Sequence, residues 1–188
     1  NNREIIVREL ERNAIDLAIM GTPPQRFETE SVPFADNPLV LIAAPTHPRA
    51  RERSIPLEAL AGERFLVREQ GSGTRSAMER FFAERRFEPR IDSVMNSNET
   101  IKQAVMADMG IALLSRHTIG LELATGLLVE LDVQGLPLMR RWYLVQRAGR
   151  FVSPASAAFV EYVVANGANL VAGPHRAAPA PPPDTPPR

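Results

Sequence analysis

R-E-Q-G-S-G-T-R, Arg68 to Arg75, and N-S-N-E-T-I-K-Q-A-V-M-A-D-M-G-I-A-L-L-S-R-H-T, Asn96 to Thr118, decide how this chain is read. In each stretch small polar residues at the end of an extended segment lead directly into a helical pattern. A helix that starts this way presents amides with no intrahelical acceptor, so the turn can hold an anion or polar ligand. Two such turns facing each other would make a cleft.

Working outward, Ile5, Ile6, Leu10 and Ala14 recur at helical spacing, and D-L-A-I-M, Asp16 to Met20, reads as a short buried strand ending at Gly21. Glu28 to Phe34 and Leu39 to Ala44 read as further strands, H-P-R-A-R-E-R-S from His47 as a solvated loop, and Leu57 and Leu60 as the buried side of a short helix capped by Ser54. Arg64 to Glu69 is a fourth strand. Met78, Phe81 and Phe82 give the helix after Gly73 an apolar face, Ile91 to Met95 extends, and Ile101, Ala104, Val105 and Met109 line the helix that Asn96 or Ser97 caps. Ile111 to Leu114, Leu127 to Asp132 and Met139 to Arg147 complete the strands. The last helix opens at Ser153-Pro154 and carries Phe159, Val160, Val163 and Val164 inward. Strands alternating with helices of this size predict parallel pairing through crossovers, hence an α/β fold. The segment 171–188 has seven of the chain's 17 prolines and almost no large apolar residue, which predicts a disordered or polyproline-like tail.

At 188 residues and 44% hydrophobic, the chain fits one domain or two small lobes with buried cores. Without Cys it has no disulfide or thiolate metal site. Its 22 basic and 22 acidic side chains cancel, which argues against a domain whose task is to grip phosphate backbones. No apolar run reaches membrane-span length and no export signal is visible, so a cytoplasmic location is expected. The start without Met, on the first turn of an amphipathic helix, suggests a piece of a longer protein.

Each motif also has a plain structural reading. G-S-G-T at Gly71 to Thr74 lacks the Lys of a P-loop and on its own is more often a capped turn. Asn96 with Glu99 three residues on is a standard capping arrangement. Lys102 could add charge toward a ligand, although a lone Lys is usually solvated. Arg140-Arg141 before Trp142 and Tyr143 reads as surface charge beside a packed strand. His47, His117 and His175 show no metal-ligand spacing, and Ser72 and Ser115 lack a nucleophile elbow. No catalytic residue, metal or cofactor is therefore expected.

I-K-Q-A-V-M-A-D-M-G-I-A-L-L-S after S-N-E, with D-L-A-I upstream and G-S-G-T-R between, resembles the effector-binding domain of LysR-type transcriptional regulators over Asn1 to Leu170. S-N-E-T-I-K-Q-A-V, L-L-S-R-H-T-I-G-L-E-L and L-D-V-Q-G-L-P-L-M-R-R-W-Y together resemble the branch that activates carbon-fixation (RuBisCO, Calvin cycle) operons. The resemblance implies a periplasmic-binding-protein-like (type II) clamshell of two Rossmann-like lobes joined by crossover strands near Leu66 to Gln70 and Trp142 to Gln146. Lobe I is expected over 1–66 plus 146–170, lobe II over 67–145. The family pattern also implies an absent winged helix-turn-helix that would contact operator DNA, an absent first strand and helix of the lobe, and a homodimer or homotetramer. The amphipathic helices at Ile5 to Ala14 and Met78 to Phe82 are candidate dimer surfaces. Asp108 stands where the family commonly has Gly in a left-handed conformation.

The expected effector is an anionic metabolite such as ribulose bisphosphate, another phosphorylated intermediate, or NADPH. Its candidate contacts are Gly21, Thr22, Ser72, Gly73, Thr74, Ser97, Asn98, Glu99 and Lys102. A solute-binding protein of a transporter is the alternative on the same scaffold. A prephenate dehydratase, which shares the Thr-Arg dipeptide, fits less well because Ser76 follows Thr74-Arg75 where that family carries Phe.

Overall fold

The computed structural model describes residues 2–150 and 152–172. In chain order the elements are α1 (Arg3–Glu11), β1 (Ala18–Met20), β2 (Thr29–Asp36), β3 (Leu39–Ala43), β4 (Arg64–Arg68), α2 (Gly73–Glu84), β5 (Arg90–Met95), α3 (Asn98–Met106), β6 (Ala112–Ser115), α4 (Gly120–Ala124), β7 (Val129–Glu130), β8 (Arg141–Arg147) and α5 (Pro154–Ala172). Among the described residues no helix is long and apolar enough to cross a membrane.

Asn2 starts α1, its side-chain oxygen accepting the Ile5 amide at 3.2 Å. The helix then turns Val7 and Leu10 onto Ala18, Met20 and Val145, forming a small core over a sheet ordered β1-β8-β2. β8 runs antiparallel to both neighbours. α5 packs against β2, with Val163 and Gly167 buried. A Cβ at Gly167 would press into the Phe34 ring, so glycine sets how close that helix sits.

The second lobe is a five-stranded mixed sheet. β3 pairs antiparallel with β6 and β7, β4 pairs parallel with β5, and β4 joins β6 through the Ile111 amide to the Arg64 carbonyl and the Leu66 amide to the Ile111 carbonyl. The order is therefore β5-β4-β6-β3-β7. One face carries Leu39, Leu41, Phe65, Val67, Met78, Phe81 and Phe82, with Phe65, Phe82 and Phe87 meeting edge to face. On the other, Val40, Ile42, Leu66 and Leu114 pack with Ile101 and Val105 of α3.

Several expectations need correction. All-parallel pairing fails, since β3 and β8 each run against their neighbours. The crossing is not near Leu66 to Gln70: Phe65 and Val67 share one core with Leu39 and Leu41, and β4 lies between β5 and β6. The chain passes between the sheets at Asn37-Pro38, after β2, and at Met139-Arg140, before β8. The two passages are tied by the Asn37 amide donating to the Arg140 carbonyl at 2.7 Å. On that packing, lobe I comprises residues 2–36 with 141–172 and lobe II residues 39–138.

Met78, Phe81 and Phe82 are buried inside their own lobe, as are Val7 and Leu10, whereas Ile5 and Ile6 stay part-exposed. α5 also exposes Phe159, Tyr162, Val164 and Leu170, so Phe159 and Val164 do not point inward as their spacing predicts. Met109 lies beyond the end of α3 and is exposed. Ser54 has φ 51° and does not cap the short 3-10 turn at Leu57–Leu60. Asp108 has φ 57°, the left-handed conformation expected of it. α5 reaches Ala172, and the rest of the expected tail, 173–188, lies outside the described residues.

Candidate functional site

Because β4 and β5 are parallel, their carboxyl ends share one edge of the sheet, and the starts of α2 and α3 lie side by side there. The two turns therefore form one wall instead of facing each other. The Glu69 amide donates to the Met95 carbonyl at 3.0 Å, and Arg68 joins the turns by donating to Asn98 Oδ1 at 2.6 Å and to both Glu69 oxygens at 2.8 and 3.0 Å. The Arg68 hydrogen bonds hold the Glu69 carboxyl below its usual range despite partial burial. Ser97 caps α3, its Oγ accepting the Glu99 amide at 3.2 Å.

Lys102 is engaged within its own lobe. Its ammonium meets Glu122 at 2.8 Å, Glu99 at 2.9 Å and the Thr118 carbonyl at 3.1 Å, three acceptors for its three protons. Burial works against its charge, yet the bonds from Glu122 and Glu99 prevail and lift it above the ordinary lysine value. This ion cluster ties α3 to α4 within one lobe.

The opposing wall comes from lobe I. The Glu4 amide donates to the Gly71 carbonyl, Asn2 Nδ2 to the Gln70 carbonyl, and Arg3 Nε to the Thr22 carbonyl. A Cβ at Gly73 would touch the Arg3 side chain. Gly71 has φ 82°, which glycine adopts without strain, and it turns the chain into α2. Ser72 stands at the α2 cap position, but its buried side chain makes no capping bond, so the first amides of α2 keep their donors. Thr74 follows in the first turn of that helix.

Between these walls lies Arg140. Its Nη1 donates to the Gly73 carbonyl at 3.0 Å, and a Cβ placed on Gly21 would lie 3.3 Å from its Cζ. Its Nε is buried without a partner, and among the described residues no carboxylate pairs with it. Burial, with the charge of Arg80 added, draws its pKa down to about 10, which leaves it charged at neutral pH. The reading of Arg140-Arg141 as surface charge holds only for Arg141, which is exposed near Asp36. Neighbours entering a strand point to opposite sides, and that alternation was the available signal for Arg140.

The charges sort along the wall. Around Ser97 stand Glu69, Glu99 and Glu122 against Arg68 and Lys102. Around Gly71 to Gly73 stand Arg3, Arg75 and Arg140 against Glu4 and Glu79, with Arg80 two turns farther along α2. Gly21, Thr22, Ser72, Gly73 and Thr74 gather at the Gly73 end, where cations outnumber acids. Ser97, Asn98, Glu99 and Lys102 belong to the more acidic end.

Comparison with known proteins places these observations. Residues 1–168 match the family model described as LysR substrate binding domain. The chain is 52% identical over 169 residues to the RuBisCO operon transcriptional regulator of Allochromatium vinosum, covering 90% of this chain and 56% of that protein. It is 46% identical over 170 residues to the HTH-type transcriptional regulator CfxR of Cupriavidus necator, covering 90% and 54%. The chain thus spans about half the length of these curated relatives. Among solved structures, the Synechocystis PCC6803 CcmR regulatory domain in complex with 2-PG superposes with a TM-score of 0.84 at 41% identity, over 88% of this chain and 79% of that one. The effector binding domain of QuiR in complex with shikimate gives 0.78 at 26% identity, over 89% and 78%.

Proposed function

This chain belongs to the LysR substrate binding domain family, and on that premise we propose that it is the metabolite-sensing part of a transcriptional regulator of carbon-fixation genes, responding to an anionic phosphorylated metabolite held between its lobes. The observation that carries the ligand class is Arg140, a charged guanidinium with an unpartnered buried Nε beside an uncapped helix start. An arriving anion supplies the acceptor that the fold withholds, and hydrogen bonds of this charged kind contribute about 1.5–3 kcal/mol each. The CcmR domain was solved with 2-PG, which accords with the ligand class. Gly21, Thr22, Ser72, Gly73 and Thr74 are proposed as its closest contacts, with Ser97, Asn98 and Glu99 on the rim.

The two passages at Asn37 and Arg140 give the response a mechanism. Arg140 is bonded through its backbone to one passage and through its side chain to the α2 turn, so a ligand that engages the guanidinium pulls on the hinge itself. We assign operator contact to a helix-turn-helix outside this sequence, in keeping with its zero net charge, and a homo-oligomer working in the cytoplasm as the setting. The relatives are regulators, which favours this reading over a transporter's solute-binding protein, and we assign no catalytic role.

Calorimetry of the 188-residue chain with 2-PG, ribulose bisphosphate, phosphoenolpyruvate and NADPH is the test. Arg140→Ala is expected to bind about 10- to 100-fold more weakly than an Arg51→Ala control in the solvated loop, and Ser97→Ala with Asn98→Ala to lose less. Equal affinity of the Arg140 and Arg51 variants for every ligand that binds would overturn the reading.

A further inference from the structure

Arg140 borders two spaces. One is the end of the cleft at Gly21 and Gly73. The other is a groove of about 100 Å³, with Ala77, Arg80, Phe81 and Glu84 of α2 on one wall and the segment from Leu138 to Arg140 on the other. That volume has room for several waters or for one phosphate group. Gly73, Ala77, Arg80 and Glu84 are spaced by four, three and four residues, so one stripe of α2 runs from the cleft along the groove. From Gly73 to Arg80 the helix rises about 10 Å, at roughly 1.5 Å per residue. A sugar-sized carbon chain with a charged group at each end has that reach.

The groove's charges are unbalanced in the direction such a ligand needs. Arg80 is exposed and makes no ion pair among the described residues, and its charge bears on Arg140. Glu84 is the one carboxylate on the groove wall, a full turn beyond Arg80 from the cleft, and it lies 3.7 Å from Arg85. Two arginines thus line one groove, and its one acid lies beyond Arg80. An anion seated there relieves their repulsion as it gains donors.

We propose that the groove is a second anion subsite of the effector site, and that Arg80 selects a metabolite charged at both ends over one charged at a single end; this rests on the anion-binding reading of the cleft. Met139, 63% exposed, and the buried Phe81 and Ala77 give the groove an apolar lining suited to the carbon chain between the two charges. Arg80 is a specificity residue in this arrangement, and Arg140 is the residue that both ligand classes require.

The test is calorimetry of the 188-residue chain with a matched pair, ribulose 1,5-bisphosphate and ribulose 5-phosphate, on wild type, Arg80→Ala, Arg80→Lys and Arg140→Ala. The wild type is expected to prefer the bisphosphate by about tenfold or more. Arg80→Ala should lose that preference by weakening the bisphosphate alone, Arg80→Lys should recover part of it, and Arg140→Ala should weaken both ligands. Equal binding of the two ligands by wild type, or an Arg80→Ala change that is nil or common to both, overturns the subsite and leaves the cleft intact. If Arg140→Ala changes neither ligand, or neither ligand binds wild type at millimolar concentration, the cleft reading fails with it. Since Arg80 is exposed, its variants should melt with the wild type, and a large drop in Tm would show a structural role in place of the proposed one.

Discussion

Arg140 and Lys102 are both cations set among polar groups, yet the fold treats them oppositely. Lys102 has an acceptor for every proton, whereas Arg140 keeps a buried donor free. Removing Lys102 leaves Glu122, largely buried, without its partner, and breaking such a pair costs about 3–5 kcal/mol when fully buried, less here because Glu99 is exposed. Lys102→Ala is expected to lower stability in urea by about 2–3 kcal/mol while leaving anion affinity unchanged. Arg140→Met, similar in length but uncharged, should melt at the wild-type temperature or above it while losing anion binding, because it removes a desolvated charge that no carboxylate balances. A Tm fall of many degrees would mean that Arg140 is structural. The serine cap of α3 was readable from N-S-N-E. Strand alternation hinted that Arg140 and Arg141 differ, but not which of the two is buried, because Arg140 stands just before β8 and is held by its contact with Gly73.

β2 and β8 pair along their lengths, and a polar cluster sits where they meet lobe II. Ser115 Oγ donates to Asn37 Oδ1 at 2.8 Å, and Trp142 Nε1 donates to His117 Nδ1 at 3.4 Å. Burial first, then the charge of Arg116, holds His117 below the ordinary histidine value, while Asp36 opposes them. A histidine depressed in the folded state binds fewer protons there than when unfolded. Stability present above about pH 6.5, the unfolded value, is therefore lost as pH falls through the lower folded value. Trp142 is the only tryptophan, so its fluorescence reports the event: a single transition below about pH 6.5 is expected, and His117→Gln should abolish it. An unchanged titration in that variant would remove His117 from the hinge. The helices and most strands follow from apolar spacing, but β4 was misplaced as a crossing. Its R-F-L-V-R run gives an extended strand without saying whether both faces are buried, and only the packing of Phe65 with Leu39 puts it inside the sheet.

Two cores of unequal size stand on either side of the hinge. Among the described residues the lobe I cluster holds five buried residues, whereas the two faces of the lobe II sheet hold seventeen and ten. Hydrogen exchange should therefore release β1, β2 and β8 before β4 and β6, and the reverse order would contradict the division at Asn37 and Arg140. The α/β class could be read from the alternation of strands and helices, and the clamshell from the family resemblance, whereas the two turns proved to share one wall. Strand direction could not, because an antiparallel strand inside a mixed sheet is as apolar as its parallel neighbours. Nor could the exposed apolar side of α5, since Phe159 and Val164 look like core residues by spacing alone. The proposal for the whole molecule is that an anion bridges lobe I at Gly21 and lobe II at Gly73 through Arg140. A crystal structure of this chain with 2-PG bears on it directly. The phosphate should lie within about 3.2 Å of the Arg140 guanidinium and against the first amides of α2. Phosphate density elsewhere, with Arg140 left unpartnered, would contradict it.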